Sequence, residues 1–173
     1  MKKLLVVIDM QHDFVDMALG TKEAKAIVPF VKQKIADYKK NGYQIIFTKD
    51  THCQGYLATQ EGKNLPVPHC IKGEKGHDII PELDISDSIV FEKHSFGSIE
   101  LAQIISSMDN ISEVELCGLC TDICIVSNAL ILKAALPETL ITVDAKACAG
   151  VTPDTHSAAL ITMKMCQINI QNA

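Results

Sequence analysis

Three polar residues sit where short apolar runs end. Asp9 closes Val6-Val7-Ile8-Asp9, Lys93 follows Ile89-Val90-Phe91-Glu92, and Cys124 lies just past Val114-Glu115-Leu116, in Cys117-Gly118-Leu119-Cys120-Thr121-Asp122-Ile123-Cys124. A cysteine in the first turn of a helix feels the positive end of the helix dipole, and a nearby ammonium lowers its pKa further. Cys124 beside Lys93 is therefore expected to give a thiolate near neutral pH. A carboxylate in reach of the thiol takes its proton and later returns it to a leaving amine, a part that suits Asp9. Taken singly, each residue has an ordinary explanation as turn-former, solvated lysine or core thiol. Their common position at strand ends is what points to covalent catalysis.

A second constellation lies between Asp50 and Pro81. Asp50-Thr51-His52 puts a carboxylate and an imidazole on one side of an extended segment, because alternate residues share a face. His69 follows in Pro66-Val67-Pro68-His69-Cys70, and Glu61 between them is a candidate further ligand. Two imidazoles and a carboxylate make an open site for zinc, iron or manganese, with room for water or a substrate atom. The remaining histidines, His12, His77, His94 and His156, are read as non-ligands.

The elements that must position these groups follow from periodicity. Strands are expected at Leu4–Ile8, Gln44–Thr48, Ser88–Phe91, Glu113–Leu116, Leu140–Val143 and Gln167–Ile170, most of them apolar at consecutive positions, as in a sheet covered on both faces. Helical patterns fill Lys22–Lys40, Ile99–Met108, Asp122–Ala135 and Asp154–Met165. Strand alternating with helix predicts an α/β fold, a three-layer α/β/α Rossmann-like arrangement of a mostly parallel six-stranded sheet. In such sheets ligands bind beyond the carboxyl ends of the strands, where Asp9, Lys93 and Cys124 fall. The stretch from Asp50 to Pro81 lacks a clear period, and a loop of roughly thirty residues in a compact fold is usually functional or disordered; its two histidines and the prolines around His69 favour the functional reading.

The 173 residues suit one domain over 1–173, and the 47% apolar content supplies a core for it. Sixteen basic against 21 acidic residues leave a formal charge of −5 without runs of either sign, which excludes a nucleic-acid footprint. No apolar run approaches the ~20 residues of a membrane span, and Asp9 and Asp13 interrupt the N-terminal run before a signal peptide is complete. A cytoplasmic protein is expected. Seven cysteines, an odd number, do not suit a closed disulfide framework.

In order and approximate spacing the motifs resemble the isochorismatase-like cysteine hydrolases, and within them the nicotinamidase branch. Ile8-Asp9-Met10-Gln11-His12-Asp13-Phe14 is similar to the opening motif of that family. Thr48-Lys49-Asp50-Thr51-His52 and Pro68-His69-Cys70-Ile71-Lys72-Gly73 are similar to its metal loop, and Gly118 to Ile125 to its nucleophile segment. The resemblance covers nearly the whole chain. It implies Asp9, Lys93 and Cys124 as a triad and Asp50, His52 and His69 as metal ligands. It implies a cis peptide at Leu119–Cys120 that aims the backbone N–H groups of Cys120 and Cys124 into an oxyanion hole, with Phe14 as a wall of the substrate pocket. The implied reaction is hydrolysis of a small amide through a Cys124 thioester, a zinc ion gripping a pyridine nitrogen, in a homo-oligomer. Leu65-Pro66-Val67 departs from that branch, which often has an aromatic residue there, and the segment after Lys93 is short.

Other readings stay open on sequence alone. Cys117, Cys120 and Cys124 are spaced as iron–sulfur or structural zinc ligands can be. Another hydrolase of the same fold, acting on a different small amide or a carbamoyl amine, would use the same triad, and fold does not fix function. Cys53, Cys70, Cys148 and Cys166 are given no role. Thr121 and Asp122 are read as caps of the Cys124 helix, and Asp13, Asp144 and Lys146 as loop residues.

Overall fold

A computed structural model describes residues 2–173. It has six strands, β1 (Lys2–Ile8), β2 (Gln44–Asp50), β3 (Ile89–Lys93), β4 (Ile111–Leu119), β5 (Leu140–Ala149) and β6 (Asn169–Gln171). They form one sheet in the order β3-β2-β1-β4-β5-β6, and all five pairings are parallel. The helices are α1 (His12–Val15), α2 (Lys22–Lys40), α3 (Gln60–Asn64), α4 (Ile99–Ser106), α5 (Val126–Ala135) and α6 (Pro153–Met165). The direction of travel reverses at β1: α2 carries the chain from β1 outward to β2, whereas α4, α5 and α6 carry it the opposite way. With right-handed crossovers, α2 covers one face and the other three helices cover the second. The three-layer α/β/α arrangement expected from periodicity is therefore present.

Central β1 is apolar at consecutive positions because both its faces are covered. Leu4, Leu5, Val6, Val7 and Ile8 are wholly buried. Gly118 explains how tightly β4 lies on it: at φ +117° it occupies a conformation that L side chains rarely adopt, and an added Cβ would stand 2.1 Å from the Ile8 carbonyl oxygen.

Most elements sit where expected, with longer strands. β2 runs two residues further, to Asp50, and β3 to Lys93, and these two polar ends are paired across the ladder. β5 continues through Asp144 and Lys146 to Ala149, so these are strand residues, not loop residues. The reason is a partner on α2: Lys34 Nζ lies 2.7 Å from Asp144 Oδ2 and 2.7 Å from Glu115 Oε1, neutralising two carboxylates under the helix. The helix expected to start at Asp122 begins as a π-helical turn, Thr121–Ile125, and becomes α-helical only at Val126. The Asp50–Pro81 stretch is irregular but ordered, built of α3 and two 3₁₀ turns, Tyr56–Ala58 and Lys75–His77. Among the described residues no helix is long and apolar enough to cross a membrane.

Candidate active site

At the carboxyl edge of the sheet, three strands bring their terminal polar groups to one ammonium. Lys93 Nζ stands 2.7 Å from Asp9 Oδ2, 3.1 Å from Asp50 Oδ1 and 3.4 Å from Cys124 Sγ, and it also donates to the Ser95 carbonyl at 3.2 Å. All three side chains of the expected triad therefore meet, in the interior: Asp9, Lys93 and Cys124 are buried. Asp9 leaves β1 at φ +49°, turning its carboxylate toward β2, where Thr48 Oγ1 donates to Oδ1 at 2.6 Å and accepts from the Asp9 N–H at 3.1 Å. Asp9 Oδ2 is buried against the Lys93 ammonium 2.7 Å away, which neutralises its charge.

Burial dominates the electrostatics. It raises the Asp9 carboxyl above the ordinary carboxylate range despite the pull of Lys93. It also pushes the Cys124 thiol well above its usual value, with Asp9 adding to the rise and Lys93 opposing it. Burial works against the Lys93 cation, but Asp9, Cys124 and Asp50 together outweigh it and keep the ammonium charged. The pull toward a thiolate expected from a helix end and a lysine therefore meets an opposing effect, since full desolvation raises the thiol more than one ammonium lowers it.

The loop constellation also converges. His52 Nε2 lies 3.1 Å from Asp50 Oδ2 and 3.6 Å from Glu61 Oε1, and His69 Nε2 lies 3.9 Å and 3.6 Å from the same two oxygens. One ligand atom from each of the four residues falls within 4.8 Å of every other. Tetrahedral ligands about 2.1 Å from an ion would be roughly 3.4 Å apart, so the set fits a small divalent cation. The His69 tautomer fits too: Nδ1 is 2.8 Å from the Val67 carbonyl, which can only accept, so Nδ1 carries the proton and Nε2 presents its lone pair to the cluster. Asp50 is held below the usual carboxylate range; burial opposes this, and the bond from His52 and the charge of Lys93 overcome it.

Among the described residues this is the only group of three or more potential ligands that close together. Cys117, Cys120 and Cys124 do not converge, which removes the iron–sulfur alternative; Cys117 is buried in β4. His77 is engaged by the Thr51 hydroxyl at 2.8 Å, His156 by Thr121 and His94 by the Thr51 carbonyl, in keeping with their exclusion as ligands.

A cavity of about 660 Å³ joins the two constellations. Cys124 and Cys120 form its floor, Asp50, His69 and Glu61 one end, and Phe14 a wall, the Phe14 ring 5.5 Å from that of His69. Phe96, from the short segment after Lys93, and the aliphatic Leu65 also line it. The Leu119–Cys120 peptide is cis.

Several supporting residues escaped sequence reasoning. Gln11 ties β1 to β2, its side chain accepting from the Asp50 N–H and donating to the Asp50 and His77 carbonyls. Asp13 is not an ordinary loop residue: its buried carboxylate accepts from the Cys70 N–H at 2.7 Å and pins the segment that carries His69. Asn128 donates to the Cys124 and Phe96 carbonyls. Thr121 and Asp122 do not cap the Cys124 helix. Thr121 bonds His156 at 2.7 Å, and Asp122 accepts from the Val151 N–H, holding the cavity rim. Apart from Cys124, four residues before Asn128, none of these partners is near in sequence, and only the Gln11 and Asp13 positions within the opening motif carried a signal.

Comparison with known proteins adds an independent line. Residues 3–172 match the family description of the isochorismatase domain. The chain is 27% identical over 188 residues to the nicotinamidase/pyrazinamidase of Mycobacterium tuberculosis, covering 97% of each. It is 30% identical over 152 residues to an isochorismatase family protein, PncA, of Bacillus subtilis, covering 75% of this chain and 78% of that one. Its fold superposes on the zinc complex of pyrazinamidase from Pyrococcus horikoshii with a TM-score of 0.86 at 27% identity, covering 98% of both chains.

Proposed function

This chain belongs to the isochorismatase family, and from that premise we propose that it is a metal-assisted cysteine amidohydrolase that converts nicotinamide to nicotinate and ammonia. The observation that carries the reading is the position of Lys93 Nζ, 3.4 Å from a buried thiol, 2.7 Å from a buried carboxylate and 3.1 Å from a residue of the four-ligand cluster. One cation thus joins a nucleophile and its base to a metal site. A nucleophile, a base and a cation are what amide hydrolysis through a thioester requires, and the cluster has no part in that chemistry unless the substrate brings a ligand atom to it.

In the proposed reaction Cys124 Sγ attacks the carboxamide carbon as its proton passes to Asp9. The backbone N–H groups of Cys120 and Cys124 stabilise the oxyanion, and Lys93 balances the negative charge of Asp9 whenever the proton is elsewhere. Collapse expels ammonia, which takes the proton from Asp9, and leaves a thioester on Cys124. Asp9 then draws a proton from water, whose hydroxyl attacks the thioester, and the proton returns to the departing sulfur. Asp50, His52, His69 and Glu61 would hold a divalent ion, zinc first with iron or manganese as alternatives, which supplies a Lewis-acidic grip for a ring nitrogen. Phe14 and Phe96 would face the ring.

The aliphatic Leu65 and the breadth of the cavity favour a second reading within the same chemistry, hydrolysis of another small amide or carbamoyl amine. The proposal extends to one hydrolase domain over residues 1–173, acting in the cytoplasm as a homo-oligomer without nucleic acid or membrane; fractionation and light scattering check these. The primary test is ammonia release from nicotinamide, with Cys124→Ala alongside and both proteins stripped by chelator and reloaded. The expected result is turnover lost in the variant, lost on stripping and restored by metal. A folded, metal-loaded wild type that leaves nicotinamide untouched refutes the substrate assignment.

A further inference from the structure

Tyr56 belongs to none of the groups assigned so far, yet it touches three of them. It lies in the 3₁₀ turn Tyr56–Ala58 with its side chain almost fully buried, at 1% exposure. Its ring packs against both imidazoles of the cluster, 4.7 Å from His52 at 59° and 4.9 Å from His69 at 73°, while the two imidazoles are themselves 4.9 Å apart. The three rings thus form a closed triangle of tilted and edge contacts, the geometry aromatic pairs prefer. The phenol does something different. It donates to the Leu65 carbonyl at 2.9 Å, and that same carbonyl accepts from the Val67 N–H at 2.8 Å. Leu65 forms part of the cavity wall, and the Val67 carbonyl fixes the His69 tautomer.

The backbone of Tyr56 anchors the fourth ligand. Its carbonyl accepts from the Thr59 N–H at 2.9 Å and the Thr59 hydroxyl at 2.7 Å, and Thr59 in turn caps α3, which carries Glu61. Gly62 is required by this approach, since a Cβ there would stand 2.2 Å from the Tyr56 oxygen. A flexible loop would leave His52, Glu61 and His69 free to rotate apart. One buried side chain between them removes that freedom.

We propose that Tyr56 is a positioning residue with two separable duties: its ring holds the imidazoles of His52 and His69 in the orientation that binds the metal, and its hydroxyl holds Leu65 in place as a wall of the substrate cavity. The proposal rests on the metal-ligand assignment made above and not on the identity of the amide. The hydroxyl can be removed without the ring, so the two duties give different signatures.

The experiment measures Zn²⁺ affinity by competition with a chromophoric chelator, together with amide hydrogen exchange over residues 57–67, in the full-length protein. Tyr56→Phe is expected to bind Zn²⁺ within about twofold of wild type and to exchange faster across 57–67. Tyr56→Leu and the unbranched, more adaptable Tyr56→Met are expected to lose roughly tenfold or more in Zn²⁺ affinity, the usual effect of removing an outer partner of metal ligands. Met163→Ala, a core truncation on α6, controls for general destabilisation and is expected to keep wild-type affinity. Wild-type affinity in both ring-deleted variants overturns the proposal, as does an equal loss in Tyr56→Phe or in Met163→Ala. Unaltered Zn²⁺ binding in His69→Ala would instead remove the metal-ligand assignment itself.

Discussion

Replacing Thr48 by Val tests whether Asp9 acts as the base. Thr48 lies inside β2, where valine is isosteric and well suited to a strand, so the change deletes one hydroxyl and leaves the sheet intact. That hydroxyl donates to Asp9 Oδ1 at 2.6 Å in a site without solvent contact. A hydrogen bond to a charged group contributes about 1.5–3 kcal/mol, and 1.36 kcal/mol corresponds to one pKa unit, so its loss should raise the Asp9 pKa by about one to two units. The sign follows from which form the bond favours. Thr48 donates to the carboxylate, burial already raises this pKa, and removal of the donor raises it further. Asp9 must be ionised to accept the thiol proton, so the acidic limb of kcat/KM should move to higher pH by that amount, while the plateau above it changes little. The assay is the pH–rate profile of the metal-loaded variant on nicotinamide. An acidic limb unmoved within experimental error, at either lowered or normal rate, would refute Asp9 as the base.

Asp13→Ala, which frees the Cys70 N–H and with it the His69 segment, should weaken metal binding by roughly tenfold without displacing Cys124, as read by chelator competition and thiol alkylation. Lys34→Met leaves Glu115 and Asp144 buried and unneutralised, and should cost about 3–5 kcal/mol in urea unfolding while KM stays constant. Its pH dependence is also set. Burial tends to raise the Asp144 carboxyl, but the Lys34 bond prevails and holds it below the usual range. This stability is present above the unfolded carboxyl pKa and is lost as pH falls through the folded value; in the variant that acid-sensitive increment should disappear. Gly118→Ala meets the Ile8 carbonyl and a left-handed φ together, so a loss of roughly 3 kcal/mol or more is expected in thermal unfolding.

The strands and the polar groups at their ends were legible in sequence because a doubly covered parallel sheet forces consecutive apolar residues, and chemistry then shows among the polar residues that break each run, Asp9 at once and Lys93 after Glu92. The same logic misjudged β5. Asp144 broke the apolar run there too, but its charge is answered by Lys34 from α2, and nothing local announces that partner. Thr121 and Asp122 had the composition of caps, whereas the π-helical turn sends their side chains to His156 and Val151. Thr48 was hidden inside a strand run, and Tyr56 within a stretch without period. The burial of Cys124 was not legible for another reason: dipole and ion-pair effects can be argued from neighbours in sequence, but desolvation depends on how completely the fold closes over the sulfur.

The sheet order also constrains how this chain is made. β1 lies at the centre, pairing with β2 through Leu4–Val7 and with β4 from Lys2 to Ile8, opposite Ile111 to Gly118. During synthesis its first neighbour emerges early, but its second follows only after more than half the chain has been translated. Until then one edge of a strand apolar from Leu4 to Ile8 stays unpaired, the exposure that invites intermolecular pairing in slow-folding parallel sheets. Asp9, which follows that strand, is brought to Lys93 and the Cys124 thiol only once this central pairing closes, so the nascent chain gains its sheet centre and this buried cluster in one step.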